Sequence, residues 1–519
     1  MRIKIKNEVI TLELEPIYAG VFSIIPPLIS IIIAIIFKEI LFSLLIGVFS
    51  GALVYCIFAK LSLINSFPIL FQSMYDNLSK NISVVVFTCF LGAISRIIID
   101  SGGTYGFTRW VNKRIKSPVA AQIVSIFLAM ICSIDDTFLS LTVGNVMRTT
   151  MDRNKVSRAR FAHVLDMLAA QLPILMPLSS WAASIAACIG VSGLPGMRFF
   201  LNSIAFNFYP IFSFALIIFS SIIKKDFPKM LEFQRSAIEG NDKSSSEEFF
   251  KDPEESGKGS VWELVIPILV LLFGTLFMVF ETSGVFLGTS KTFSEIMSNT
   301  DFDISVNFGA LIAILVAMVI FIPRKIKFSN FMSFLEKGMA EMISINAMLA
   351  LAWSMTSLCC SCLSADKYIR HLVFSLNVPS SLLPFIFFFL SSSLAFSVGS
   401  SWATFGILIP IVSTIVSGMD DRIISIIISA VLSGSICGSN ASPISSTAMV
   451  VSAGVKCKHL YHISSQHPYV ILLFIISSIG FIVAPIFNNM FVLYLILIAL
   501  LYFAYFILAK KQEFSQKTI

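Results

Sequence analysis

Apolar residues run through this chain in blocks of about 20, the length that crosses the hydrocarbon core of a bilayer as a helix. Uninterrupted blocks lie near 17–37, 39–59, 82–99, 204–223, 261–281, 304–323, 341–359, 469–488 and 490–509. Two more, near 161–190 and 422–455, are interrupted by Pro, Gly and Ser. The segments 118–147 and 380–418 break at their middles, the first at Asp135-Asp136 and the second at Gly399-Ser400-Ser401. The pattern predicts an all-α polytopic membrane protein.

The polar interruptions recur. Pro443-Ile-Ser-Ser-Thr-Ala448 matches Pro177-Leu-Ser-Ser-Trp-Ala182, and position 443 stands 266 residues after 177. The same shift carries Asp135 to Ser401 and Asp100 to Asp366. A constant offset over three landmarks argues for a duplicated unit. Paired polar breaks in the hydrophobic segments of two related halves are the best sequence pointer to a transporter's binding site.

Charge sets the topology, because Lys and Arg stay on the cytoplasmic side. Arg109, Lys113, Arg114 and Lys116 precede segment 118–147, and Arg148, Arg153, Lys155, Arg158 and Arg160 follow it. A segment with both ends on one side is a re-entrant hairpin. Carried through the chain, this gives about 11 transmembrane helices plus two re-entrant hairpins in an inverted repeat, with the N-terminus outside and the C-terminus cytoplasmic. The expected organisation is a first repeat over 1–231, a cytoplasmic linker over 232–260, a second repeat over 261–489, and an extra helix and tail over 490–519. The linker is rich in Ser, Glu and Lys and reads as a solvated tether.

Composition agrees: 56% of residues are hydrophobic and 13% charged, against about a quarter charged in soluble domains. The net charge of +7 resides in short loops between apolar blocks, so it points to the lipid bilayer and not to nucleic acid. No cleavable signal peptide is expected, since the charged stretch from Met1 to Glu15 leads into a block long enough to span. The nine Cys are scattered, and the spacing in Cys359-Cys-Ser-Cys362 has no second pair to complete a zinc site. No cofactor is expected.

Non-helical backbone at membrane depth survives only where protein or water covers it. The breaks at 133–137, 177–181, 399–404 and 439–447 therefore imply an internal wet cavity. Their freed carbonyls and hydroxyls suit sodium, and their exposed helix N-termini suit anions. Asp135 and Asp136 are the sharpest signal, as a carboxylate at mid-membrane costs several kcal/mol unless paired or functional. Adjacent carboxylates compete for charge, which suits alternation between proton and cation, with sodium at Asp135 and Asp136. The competing reading is an N-cap. Asp166 is either a second cation or proton site or an ion-pair partner of Arg158 or Arg160, and His163, one turn away, reads as packing. The expected lining is Thr137, Ser179 and Ser180 in the first half. In the second half it is Ser400, Ser401, Thr404, Asn440, Ser442, Ser445, Ser446 and Thr447.

At these residues the sequence resembles the NhaC family of sodium/proton antiporters, within the larger ion-transporter superfamily. The resemblance rests on Asp135-Asp-Thr-x-x-x-Leu-Thr-Val-Gly144, on Ser157-Arg158 with Asp166, and on Pro177-Leu-Ser-Ser-Trp181. It continues in Leu351-Ala-Trp-Ser354, Gly399-Ser-Ser-Trp-Ala-Thr-Phe-Gly406, Ser442-Pro-Ile-Ser445, and Ser452-Ala-Gly454 followed by His459 and His462. It implies binding at the tips of two re-entrant hairpins, elevator-like alternating access and a homodimer. The family carries Asp near positions 439 and 446, where this chain has Ser439 and Ser446.

The resulting expectation is a secondary antiporter of the inner membrane that exchanges sodium for protons. The alternative is a sodium- or proton-coupled carrier of a small amino or carboxylic acid, because a site without those carboxylates no longer repels a substrate carboxylate. An enzyme is disfavoured: there is no HExxH, and four of the five His lie in or near cytoplasmic loops. Asp135→Asn or Asp136→Asn is expected to abolish coupled transport in proteoliposomes carrying a pH dye, with membrane insertion intact. Normal transport by both variants would exclude the carboxylate mechanism.

Overall fold

The computed structural model describes residues 2–6, 9–37, 39–103, 106, 109, 114–177, 179–190, 193–223, 225–246, 260–289, 296, 300–365, 367–368, 379–416 and 418–511. Lys113, Leu178, Lys224, Glu295, Asp366 and His371 lie outside them, as does the linker from 247 to 259. Among the described residues, ten helices are long and apolar enough to cross a membrane, or up to 11 if the bent pair Arg158–Leu175 and Ser180–Gly190 is one span. The chain forms two compact units. One comprises Met1–Val85, Ala183–Phe206 and Ile343–Gly438, and the other comprises Val86–Ala182, Asn207–Met342 and Ser439–Ile519.

In the first unit, the helices Ile25–Phe37, Ile40–Phe58, Ser66–Lys80 and Ile343–Thr356 pack together. Ser66–Lys80 was not among the blocks read from sequence, because its polar residues dilute the apolar run. The break at Gly399 has a local cause. The helix Leu383–Val398 ends there in a left-handed conformation with φ +74°, which glycine adopts without strain. Ser400 then caps Ser401–Ile415, accepting from the Ala403 N–H at 3.3 Å.

In the second unit, the antiparallel pair Trp262–Thr282 and Phe302–Phe321 makes the largest helix–helix contact. The helix Met490–Leu508 shows the membrane pattern plainly. Leu493, Leu497, Leu501 and Tyr505 recur at helical spacing and are buried, while Phe491, Phe503 and Ile507 are exposed. One stripe packs inward and the remaining apolar surface is left for lipid.

Two stretches depart from the sequence reading. The block placed at 469–488 is part of a helix that begins at His459, because Pro468 is accommodated inside it. The linker is not a tether throughout. Pro228–Ile238 is helical, the Asp242 carboxylate accepts from the Arg158 N–H at 2.7 Å, and Ser246 N–H donates to the Lys456 carbonyl at 3.0 Å.

Small residues allow close backbone approach where hydrophobic packing alone supplies little drive between helices. Gly92 meets Gly338 so closely that a Cβ on Gly92 would stand 2.3 Å from the Gly338 carbonyl oxygen. Replacing glycine by alanine in a helix normally gains about 0.5–1 kcal/mol. Here a backbone clash opposes it, and overpacking of this kind costs about 1–3 kcal/mol. Gly92→Ala is therefore expected to lower the unfolding midpoint in detergent. An unchanged or raised midpoint would show that the two helices separate without cost.

Candidate functional site

Three carboxylates of the second unit, those of Asp135, Asp136 and Asp166, are buried, and their surroundings differ. The helix Pro118–Ile131 ends in a turn through Cys132–Ile134, and Asp135 takes an extended conformation before Asp136–Arg153 begins. Asp135 Oδ1 accepts from the Phe138 N–H at 3.0 Å, and Oδ2 accepts from the Ser180 hydroxyl at 3.1 Å. Ser180 N–H donates to the Ile134 carbonyl at 3.0 Å, so the breaks at 132–135 and near 179 are joined. Ser179 donates to the Pro173 carbonyl at 2.6 Å and accepts from the Ala182 N–H at 3.1 Å. Asp135 thus makes the N-cap raised as its competing reading and also holds a hydroxyl beside the break. Asp136 is buried in the first helical turn, and Thr137 is half-buried. Both carboxylates face the positive end of the helix dipole.

Asp166, on the helix Arg158–Ala169, is fully buried and meets neutral amides. Its Oδ2 accepts from Gln466 Nε2 at 2.5 Å and from Asn440 Nδ2 at 3.0 Å. Its Oδ1 is buried and accepts no hydrogen bond. The two amides are held in turn. Asn440 Oδ1 accepts from Gln171 Nε2 at 2.7 Å and from the Tyr209 hydroxyl at 3.2 Å, and Gln466 Nε2 also donates to the Asn440 carbonyl at 2.9 Å. Among the described residues, the only basic side chain within 4.0 Å of the Asp166 carboxylate is the His462 imidazole, with Nε2 at 3.9 Å.

The alternative partners of Asp166 are engaged elsewhere. Arg158 forms a two-pronged pair with Asp152 at 2.6 and 2.7 Å. Arg160 is buried against Asp226 at 2.8 Å, donates to Gln122 Oε1 at 2.9 Å and to Ser220 Oγ at 2.7 Å, and shares Asp226 with the Tyr469 hydroxyl. Asp226 is positioned by a two-residue strand, Lys225–Asp226, paired with Lys510–Lys511. The six-residue step from Arg160 to Asp166 turns the helix by about 600°, which leaves the two side chains on different faces.

Sequence reasoning missed Gln466, His462, Gln171, Tyr209 and Tyr469. Its available signal was His462, Gln466 and Tyr469 at spacings of four and three, a polar stripe on one helix face. His163, read as packing, places Nδ1 3.2 Å from Gln466 Oε1 and stacks on Tyr469 with ring centroids 4.1 Å apart. It and His462 are fully buried, within the first turns of their helices.

The remaining expected lining divides between the units. Asn440 reaches Asp166, Ser439 and Ser445 share a hydroxyl hydrogen bond at 3.0 Å, and Ser445 caps the helix Ser446–Val455. Ser442 accepts from the Ile444 N–H, while Ser446 is exposed and Thr447 half-buried. In the first unit, Ser401 donates to the Ser435 carbonyl at 3.1 Å and Thr404 to the Ser400 carbonyl at 2.8 Å. Among the described residues, no three His, Cys, Asp or Glu side chains gather into a metal-ligand cluster. Oxygen from hydroxyls, amides and carbonyls is what these breaks offer a cation.

A helical bundle with interrupted spans and buried carboxylates at the interruptions is a multi-pass membrane protein of the secondary-transporter class. Residues 171–486 match the Na+/H+ antiporter family. An uncharacterized protein of Haemophilus influenzae is 31% identical over 489 residues, covering 91% of this chain and 92% of its own length. The chain therefore belongs to the Na+/H+ antiporter family. Two solved structures are similar at lower levels. The YdaH transporter of Alcanivorax borkumensis is 13% identical over 81% of this chain and 88% of its own, with TM-score 0.47. MtrF of Neisseria gonorrhoeae, titled an antimetabolite efflux pump, is 14% identical over 82% and 85%, with TM-score 0.46.

Breaking a buried ion pair by removing one partner costs about 3–5 kcal/mol, because a charge is left uncompensated. Asp226→Ala is expected to lower stability by that order in detergent unfolding, and adding Arg160→Met should recover much of it. If the single variant unfolded like the parent, the Arg160–Asp226 pair would not be a structural support of this site.

Proposed function

We propose that this chain exchanges sodium for protons by alternating access, with Asp166 as the principal exchanging carboxylate and Asp135 as a second one. The carrying observation is that Asp166 is buried with two neutral amides on one oxygen and no hydrogen bond on the other. An ionised carboxylate so placed is costly without a counter-charge. A proton or a sodium ion relieves that cost, and the two compete for the same oxygens. The competition produces exchange: either loaded form is neutral at this position, whereas the empty form is charged and disfavoured from crossing. At Asp135 and Asp136, the Ser180 hydroxyl and the Ile134 carbonyl stand beside the carboxylate as further oxygen ligands for sodium. The family resemblance supports elevator-like movement, a homodimer and two hairpins in an inverted repeat. The basic loops support a cytoplasmic C-terminus in a bacterial inner membrane.

The second reading is a carrier of a small amino or carboxylic acid, favoured by the neutral Ser439–Ser445 pair where the family carries an acid. Proteoliposomes with a trapped pH dye separate the two. Sodium or lithium should drive proton efflux in the parent protein, and Asp166→Asn should abolish it while the purified variant remains folded. Undiminished exchange by Asp166→Asn would refute the assignment. Silence toward sodium, lithium and potassium, together with thermal stabilisation by an amino or carboxylic acid, would select the second reading.

A further inference from the structure

Hydrogen-bonding groups continue from Asp166 to the protein surface. His462 Nε2 lies 3.9 Å from Asp166 Oδ2 and 3.1 Å from Gln466 Oε1. On the other side of the ring, His462 Nδ1 lies 2.9 Å from Ser452 Oγ. The same hydroxyl lies 3.3 Å from His459 Nδ1, and His459 Nε2 lies 2.8 Å from the Pro443 carbonyl. His462 and Ser452 are buried, and His459 is half-buried. We infer that His462, Ser452 and His459 form the proton path between Asp166 and the surface, an inference that rests on Asp166 being the exchanging carboxylate.

One polarity of this chain of contacts carries a proton outward. A carbonyl only accepts, so neutral His459 must carry its proton on Nε2 and accept at Nδ1. In the polarity that serves a relay, the Ser452 hydroxyl donates to His459 Nδ1 at 3.3 Å and its oxygen accepts from a proton on His462 Nδ1 at 2.9 Å. In the resting polarity His462 Nε2–H donates to Gln466 Oε1 at 3.1 Å and Nδ1 accepts from Ser452; the relay polarity, with Nε2 bare, is the other tautomer. The orientation of that amide is fixed, since its Nε2 donates to Asp166 and to the Asn440 carbonyl. In the relay polarity the open position for one proton is the nitrogen nearest Asp166, 3.9 Å from its Oδ2.

The outward step balances. The O–H bond of protonated Asp166 breaks and an N–H bond forms at His462 Nε2. The Nδ1 proton of His462 passes to Ser452 Oγ, the Ser452 hydroxyl proton passes to His459 Nδ1, and the Nε2 proton of His459 leaves to water. One proton moves from Asp166 to solvent, and rotation of the hydroxyl and imidazoles restores the starting polarity. Transfer requires Asp166 and His462 to approach by about 1 Å, to hydrogen-bond length, so Gln466 stands as the gate. The titratable groups around His462 are Asp166, His163, His459 and Cys457, with Arg160 behind His163 and Lys458 beside His459.

The test compares the parent protein with Ser452→Ala and His459→Gln in proteoliposomes at low buffer concentration, with sodium binding to the purified proteins measured in parallel. Both variants should slow sodium-driven proton efflux at least about tenfold and leave sodium affinity within about twofold. Added imidazole should restore His459→Gln and should not restore Asp166→Asn. Parent-like rates in both variants would overturn the relay while leaving the exchange reading intact. Loss of sodium binding in step with loss of exchange would also overturn it, by showing a structural role. His459→Gln alters a half-buried side chain and keeps the test open if Ser452→Ala does not fold. Absence of sodium-driven exchange in the parent protein would remove the reading beneath it and the relay together.

Discussion

A carboxylate buried among neutral amides is the constraint on which the rest of this structure depends. Asp166 has no guanidinium or ammonium to balance it among the described residues, and its oxygens are shared between two amides and an unfilled acceptor position. In a soluble protein that arrangement would be a defect to be covered by water or a cation. In a membrane protein a buried carboxylate is costly unless it is paired, protonated or functional. The nearby cations are withheld from it. Arg158 is turned to Asp152, and Arg160 is locked to Asp226 by a buried network that the C-terminal strand helps to position.

The broken helices serve the same end. An unbroken span satisfies all its backbone groups internally and leaves nothing for an ion. Interruptions at Cys132–Asp135, near Ser179 and after Ala441 free carbonyls and N–H groups, and Asp135, Ser179 and Ser445 satisfy most of them as caps. What the caps leave over is a set of buried oxygens. Close glycine contacts, as between Gly92 and Gly338 or Gly144 and Gly454, hold the helices tightly enough to keep those oxygens in place.

Much of this was legible in the sequence. Long apolar blocks announced the spans, and Pro, Gly, Ser and Asp inside them marked the breaks, because those residues have local physical reasons to stop a helix. Asp135 and Asp136 stood out as carboxylates with no cheap place to be, while Asp166 stayed open between a site and an ion pair and Asn440 was one neutral lining group among several. Partnership was harder to read. Arg158 and Arg160 are near Asp166 in the chain, yet helical rotation and better acceptors carry them away, while Asn440 and Gln466 arrive from almost 300 residues on. Gln466 and His462 were hidden because the apolar block begins only near 469, which put both outside the span, whereas the helix begins at His459. The Asp135 cap was foreseeable in kind, but its second contact to Ser180 depends on tertiary packing.

The central claim is that a proton and a sodium ion compete for Asp166, and equilibrium binding tests this without any assumption about movement. Sodium affinity of the purified protein should be measured across pH. Competition for one carboxylate predicts that affinity weakens about tenfold per unit as pH falls through the titration of the site, and that Asp166→Asn removes this dependence along with the binding. Sodium affinity independent of pH, or unchanged in Asp166→Asn, would contradict the account.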